Sequence, residues 1–276
     1  MIAYINGSWV SQNEAVIPIN DSAFILGDGL FETIRFEENH IAFLDRHLDR
    51  LLSGAKQLRY NLKYNRSEIE KIVFQAIEKN HLKKGIVRII ISRGSLELLD
   101  FRRSTQSNLY ILLKKLPKLP NLPVEIMLLP SEKYNQREGV NILKMLSYAG
   151  NIQALNEAEK HSVFEPIFYN HKNIIKEGAT KNIFFIKDNF IFTPSLSLGV
   201  LDGIMRGVII ETANSLGIKR KKQSILKDDI KDFDEVFLSS SVVGPMPCTY
   251  KNYHFNYSIC NQIKDEIDNL YKIKFY

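Results

Sequence analysis

Between Ala42 and Leu58 the apolar residues Phe43, Leu44, Leu48, Leu51, Leu52, Ala55 and Leu58 return at helical intervals, while Asp45, Arg46, Asp49, Arg50 and Lys56 fill much of the remainder. Such spacing lays an apolar stripe along one side of a helix and predicts an amphipathic helix over 42–58. A second helix is predicted over 67–79, with Ser67 as N-cap and Glu70 three residues on as its capping-box partner. Ile2 to Val10 reads as two short strands about an Asn6-Gly7 turn. Val87–Ser92 and Leu109–Leu113 are apolar, β-branched runs that predict strands.

Residues 114–123 carry prolines at 117, 120 and 123, which predicts a linker between an N-terminal domain, 1–113, and a C-terminal one, 124–276. Beyond it a strand is predicted at 124–129 and a helix at 148–164. Short strands follow at 166–169, 173–176, 182–186 and 190–193, the last pair turning at Asp188-Asn189. Ile204 to Leu216 reads as a helix closed by Gly217, and Val236–Ser241 as a strand ending in hydroxyls. Strands and helices mix without regular alternation or internal repeat. The expected class is α+β in two domains.

Composition narrows the picture. The 276 residues are 45% hydrophobic and 25% charged, an ordinary globular usage. The net charge of +6 comes from 37 basic and 31 acidic residues spread along the chain, with no basic block of the kind that marks a nucleic-acid tail. Phosphate- or carboxylate-bearing small molecules suit such a balance better than nucleic acid. Cys248 and Cys260 fit no zinc pattern, and a reducing cytoplasm is the simplest setting. With neither a basic-then-apolar N-terminus nor 18 consecutive uncharged apolar residues, secretion and membrane spanning are not expected.

Chemistry enters with Lys144, set in Ile142-Leu143-Lys144-Met145-Leu146. Most lysines are solvated whatever their neighbours. One held among aliphatic side chains would lose hydration of its ammonium form and offer a nucleophilic amine able to form a Schiff base. Pyridoxal 5'-phosphate (PLP) chemistry needs that amine, a partner for the pyridine nitrogen and a phosphate cradle. Glu177, 33 residues on, is a candidate partner, although an isolated glutamate before Gly178 is most simply a turn residue. Gly203-Ile204-Met205-Arg206 opens a helix whose first amides would face an anion. Arg50 could add a cation and Ser239-Ser240-Ser241 hydroxyls, against the plainer readings of a solvated helix face and a turn.

Five segments occur in a telling order: Phe24-Ile25-Leu26-Gly27-Asp28-Gly29-Leu30-Phe31-Glu32-Thr33-Ile34-Arg35; His47-Leu48-Asp49-Arg50; Lys144 followed by Tyr148; Glu177-Gly178-Ala179-Thr180-Lys181-Asn182; and Gly203-Ile204-Met205-Arg206. From about residue 2 to about residue 250 the chain resembles the class IV aminotransferase family, the fold type IV group of PLP enzymes. That group includes branched-chain aminotransferases, D-amino-acid aminotransferases and 4-amino-4-deoxychorismate lyases. The resemblance implies a smaller N-terminal and a larger C-terminal α/β domain, a homodimer, and a small amino substrate bearing a carboxylate. By the same resemblance Lys144 is the Schiff-base lysine, Glu177 the partner of the pyridine nitrogen and Arg50 the phosphate-binding arginine. Ile204 and Met205 supply amides beneath the phosphate, Ser240 and Ser241 hydroxyls, and Tyr148 approaches the cofactor's phenolic oxygen. Many relatives have threonine where this chain has Met205, so one hydroxyl is missing there.

Within the family, D-amino-acid aminotransferases hold the substrate carboxylate with an Arg-x-His element, where this chain has Leu98 and Asp100. Three features resemble the lyases: Phe31-Glu32-Thr33, Gly203-Ile204-Met205-Arg206 and Pro245-Met246-Pro247 after the last predicted strand. The expected activity is therefore elimination of pyruvate from aminodeoxychorismate to give 4-aminobenzoate, a step of folate biosynthesis, with Thr33 orienting substrate. Branched-chain transamination comes second, since Tyr148 suits it equally; D-amino-acid transamination comes third. Arg35 is the candidate for the substrate carboxylate in either case. A non-catalytic binding module of the same fold is the alternative of another class.

Overall fold

The computed structural model describes residues 1–38, 40–97, 100–104, 106–134, 142–251 and 253–276, except the side chains at 97 and 100–104. Leu98, weighed above, lies outside the described residues, as does the side chain of Asp100. The chain divides into two compact units: Met1–Pro117 with Leu143–Tyr148, and Lys118–Ile142 with Ala149–Tyr276. The segment bearing Lys144 thus packs with the first unit, not with the C-terminal domain to which sequence order assigns it.

The first unit contains β1 (Ile2–Ile5), β2 (Ser8–Ser11), α1 (Ser22–Leu26), β3 (Gly29–Glu37), β4 (His40–Ile41), α2 (Leu44–Gln57), α3 (Arg66–Asn80), β5 (Lys84–Ser92), β6 (Leu96–Glu97), β7 (Asp100–Ser104) and β8 (Asn108–Lys115). Six strands form an antiparallel sheet in the order β2-β1-β8-β5-β3-β4. Alternation along these strands sends Leu30, Ile34 and Phe36, with Val87, Ile89 and Ile91, into one core with Leu48, Leu51, Ile69 and Val73 of the helices. Phe31, Thr33 and Arg35 therefore lie on the opposite face, where Thr33 is paired across the ladder with Arg88. The cap of α3 falls two residues earlier than expected: Asn65 accepts from the Glu68 amide, and Glu68 reaches back to the Asn65 amide. Ser67 instead donates its hydroxyl to Asn65.

The second unit contains β9 (Val124–Pro130), α4 (Ala149–Lys160), β10 (Glu165–Tyr169), β11 (Ile175–Gly178), β12 (Asn182–Lys187), β13 (Phe190–Phe192), α5 (Ile204–Ser215), β14 (Lys219–Arg220), β15 (Glu235–Ser240), β16 (Gly244–Tyr250) and α6 (Ser258–Tyr271). Its eight-stranded mixed sheet runs β11-β10-β9-β16-β15-β12-β13-β14. Ile183, Phe185, Val236, Leu238, Met246 and Cys248 form the centre of its core. Pro245 and Pro247, expected after the last strand, lie inside β16. They pair with Ser239 and Phe237 of β15, whereas pairing with β9 begins only at Cys248. A residue without an N–H is tolerated where the strand is flanked on one side. No helix among the described residues is long and apolar enough to cross a membrane.

Candidate active site

In the first unit Lys144 belongs to a short extended segment laid along the start of β3. The amide of Phe31 donates to the Lys144 carbonyl at 3.0 Å, and that of Leu146 to the Gly29 carbonyl at 2.8 Å. Leu143 and Met145, its apolar neighbours, pack against the core of the unit, so the extended backbone turns Lys144 the other way. The expectation that these neighbours would surround the amine is thus corrected. Lys144 instead places Nζ 4.5 Å from the centroid of the Phe31 ring. The same ring meets Tyr148 edge-on at 5.8 Å. Gly29 allows the close approach, because a Cβ there would stand 2.6 Å from Leu146 Cδ1.

Arg50, on α2, turns back to β3. Its Nε and Nη2 donate to the two carboxylate oxygens of Glu32, each at 2.7 Å. His47, one turn earlier, sets Nδ1 2.6 Å from Glu32 Oε2. Burial alone would raise the Glu32 pKa, but attraction by Arg50 and the hydrogen bonds from His47 and Arg50 outweigh it and bring it down to about 2. Burial pushes the His47 pKa below its usual value, more than Glu32 restores it. With a carboxylate that only accepts, the neutral ring donates from Nδ1, and Nε2 is buried without a hydrogen-bond partner among the described residues. Arg35, proposed for the substrate carboxylate, is 3% exposed and donates Nη2 to Glu37 at 3.2 Å. Thr33 is half-buried on the Phe31 face of β3.

In the second unit Glu177 stands at an irregularity of β11. Ile167 pairs with Gly178 and Tyr169 with Ile175, so Lys176 and Glu177 together oppose Phe168. A bulge of this kind re-aims a side chain at a strand edge. The Glu177 carboxylate accepts from the Leu201 amide at 3.0 Å and from Asn182 Nδ2 at 3.1 Å. Asn182 also donates to the Leu201 carbonyl at 3.0 Å, tying the loop before α5 to the start of β12. Glu165, 1% exposed, fixes the intervening turn by accepting from the Thr180 amide and from Lys181 Nζ.

Gly203 is the N-cap of α5 and has no side chain with which to satisfy the first-turn amides of Ile204 and Met205. The Met205 side chain is 1% exposed, part of the packing rather than of any polar surface, so this residue presents only its backbone N–H. Arg206, also buried, donates to Asp202 and to the Pro194 carbonyl and so braces the same loop. Ser240 closes β15 and Ser241 opens the turn beyond it, both half-buried. Sequence reading gave no role to Glu32, His47 or Asn182. All three occur within the quoted segments, but a side chain that holds another side chain has no spacing of its own to reveal it.

The amino-transferase class IV family pattern matches residues 29–250. An aminodeoxychorismate lyase of Bacillus subtilis is 30% identical over 249 residues, covering 89% of this chain and 85% of its own. A Methanocaldococcus jannaschii protein, named provisionally as a branched-chain-amino-acid aminotransferase, is 27% identical over 254 residues, covering 90% and 86%. Among solved structures, the branched-chain aminotransferase of Thermoproteus uzoniensis superposes with a TM-score of 0.88 over 98% of this chain and 94% of its own, at 24% identity, which shows the fold. The expected fold type IV architecture and PLP as cofactor stand confirmed. The chain is an enzyme of the class IV aminotransferase family.

Proposed function

We propose that the protein is a 4-amino-4-deoxychorismate lyase, releasing pyruvate and 4-aminobenzoate from its substrate. The single observation that carries this reading is the placement of Thr33: its strand presents it on the face where Phe31 holds Lys144, so a hydroxyl is available to orient substrate beside the amine. The 30% identity to the Bacillus subtilis lyase supports it. The residues present fit PLP. A guanidinium held rigid by Glu32 and the uncapped start of α5 suit a phosphate, and the Glu177 carboxylate, oriented by two donors, suits a pyridine nitrogen.

When bound, PLP supplies an electron sink for the pair left by a bond broken at the substrate carbon. With PLP bound, Lys144 would be the residue that holds it, and its Nζ, once free, would take the proton from that carbon. Glu177 holds the proton on the pyridine nitrogen. Arg50 in the first unit and, in the second, the Ile204 and Met205 amides with Ser240 and Ser241 are the candidates that would hold phosphate, while in the first unit Tyr148 and Phe31 shape the wall beside Lys144. Arg35, already paired with Glu37, is left as a structural cation.

A second reading, an aminotransferase of branched-chain type, is supported by the 27% identity to the Methanocaldococcus jannaschii protein. Paired assays separate the two: aminodeoxychorismate yielding pyruvate and 4-aminobenzoate supports the lyase. Glutamate formed only from branched-chain amino acids and 2-oxoglutarate overturns it. We further propose a cytoplasmic homodimer. Six large apolar residues between Val16 and Leu26 are exposed, Ile19 by 82%, a surface that a second copy would cover. Light scattering should give twice 31.9 kDa.

A further inference from the structure

Past α6 the chain turns back at Lys272, whose φ is 52°, and continues with Ile273 and Phe275 buried while Lys272, Lys274 and Tyr276 are exposed. This alternation is that of an extended chain laid along a surface. The Phe275 amide donates to Asp268 Oδ1 at 3.3 Å, and Asp268 is held in turn by Lys264 Nζ at 2.8 Å. Lys264 Nζ also stands 4.6 Å from the centroid of the Tyr276 ring. Phe275 is thus pinned to α6 through its own backbone and through its neighbour.

Its ring packs on the end of the hairpin formed by β15 and β16. Residues 241–243 join these strands, and Ser240 pairs with Gly244 as the last rung of their ladder. Gly244 has a φ of 72°, the left-handed position that closes a three-residue hairpin loop. A Cβ on Gly244 would stand 2.6 Å from Phe275 Cγ, so a fully buried ring lies directly against the backbone of that rung. The loop's own Val243 packs against the core of the unit. Ser240 and Ser241 are the last residue of the ladder and the first beyond it, so their directions depend on what holds the hairpin end. The helix that carries Phe275 packs against α5 as well as β16. One element therefore touches both the hairpin and the helix whose first amides are offered to phosphate.

We propose that Phe275 is a positioning residue for the cofactor's phosphate: by filling the space against Gly244 it fixes the hairpin end, and with it the Ser240 and Ser241 hydroxyls. This rests on the reading of those serines as phosphate donors. A hydrogen bond weakens steeply as its angle falls, and a binding group must be held to within about 0.5 Å to be effective. Removing the ring leaves a cavity into which the hairpin end relaxes. The loss is then felt by the phosphate and not by the pyridine ring.

PLP and pyridoxal, which lacks the phosphate, are titrated by fluorescence into the apoprotein of wild type, Phe275→Ala, Phe275→Leu, Ser240→Ala/Ser241→Ala and the triple variant. In Phe275→Ala the affinity for PLP should fall by at least about tenfold with that for pyridoxal within twofold, and the 31P resonance of bound PLP should move towards that of free PLP. Phe275→Leu, which refills part of the space, should fall between, and it serves alone if the alanine variant does not fold. Where both serines are already alanine, Phe275→Ala should cost PLP nothing further, an outcome that general destabilisation would not give. PLP affinity within twofold of wild type in both Phe275 variants, equal losses for PLP and pyridoxal, or a full further loss in the triple variant overturns the proposal. A Ser240→Ala/Ser241→Ala protein that binds PLP as wild type does defeats the reading of the serines, and the role of Phe275 with it.

Discussion

Arg50 gives two nitrogens, Nε and Nη2, to the two oxygens of Glu32, so the phosphate-binding candidate is held by a fork-to-fork ion pair. Its direction is set by β3 rather than by the helix that carries it. Glu32→Gln removes the charge and one acceptor from this pair. PLP affinity should fall by about tenfold or more, while affinity for pyridoxal, which has no phosphate, changes little. Titration of both ligands into the apoprotein by fluorescence checks this; equal losses for the two would mean that Glu32 does not act through the phosphate.

The same pair predicts an acid-sensitive fold. The Glu32 pKa is lowered from 4.5 to about 2 on folding, so its contribution is fully present above 4.5 and is lost as pH falls towards 2. The amount is about 3 kcal/mol at most. His47, whose pKa is also lowered by folding, adds in the same direction below its ordinary value of 6.5, because the unfolded state takes up its proton first. Urea unfolding at pH 7, 5 and 3 should show a steep loss in wild type and a shallower one in Glu32→Gln, from a lower starting stability.

The amphipathic helix α2 and the first hairpin were legible because one periodicity governs each. Strand β3 was not: Glu32 and Arg35 sit at 1% and 3% exposure, and their burial is tolerated through Arg50, His47 and Glu37, all remote from the local pattern. β16 was hidden by its two prolines, and α6 by charges on its outer face and by an N-terminus capped from afar, where Glu235 accepts from the Ile259 and Cys260 amides. Lys144, Glu177 and Arg50 were marked as candidates by motif order alone. Their supports were not, since Asn182 and Glu32 act through contacts that only the fold creates.

Gly203 illustrates such a contact. A Cβ at this position would stand 2.0 Å from Asn182 Oδ1, the side chain that orients Glu177 and the Leu201 carbonyl. Gly203→Ala should displace Asn182, lower stability by about 1–3 kcal/mol and weaken PLP binding. Thermal melts of apo and PLP-loaded protein test this: the gap between the two melting temperatures should shrink, and an unchanged gap would exclude a link between Gly203 and the cofactor.

Glu177→Gln keeps the size of the side chain and an acceptor for the Leu201 amide but loses the charge that favours a protonated pyridine nitrogen. It should retain PLP, with kcat reduced by about 100-fold or more and KM little altered. Steady-state kinetics at matched cofactor content measure the split. A kcat within threefold of wild type would remove Glu177 from the mechanism.

The role of Lys144 is tested most directly by borohydride reduction of the PLP-loaded protein followed by peptide mass analysis. The protein should be yellow, bleach on reduction and carry the cofactor's added mass on the peptide containing Lys144, whereas Lys144→Ala should retain no such mass. A colourless wild type that takes up no PLP, or added mass on a different lysine, would contradict the account.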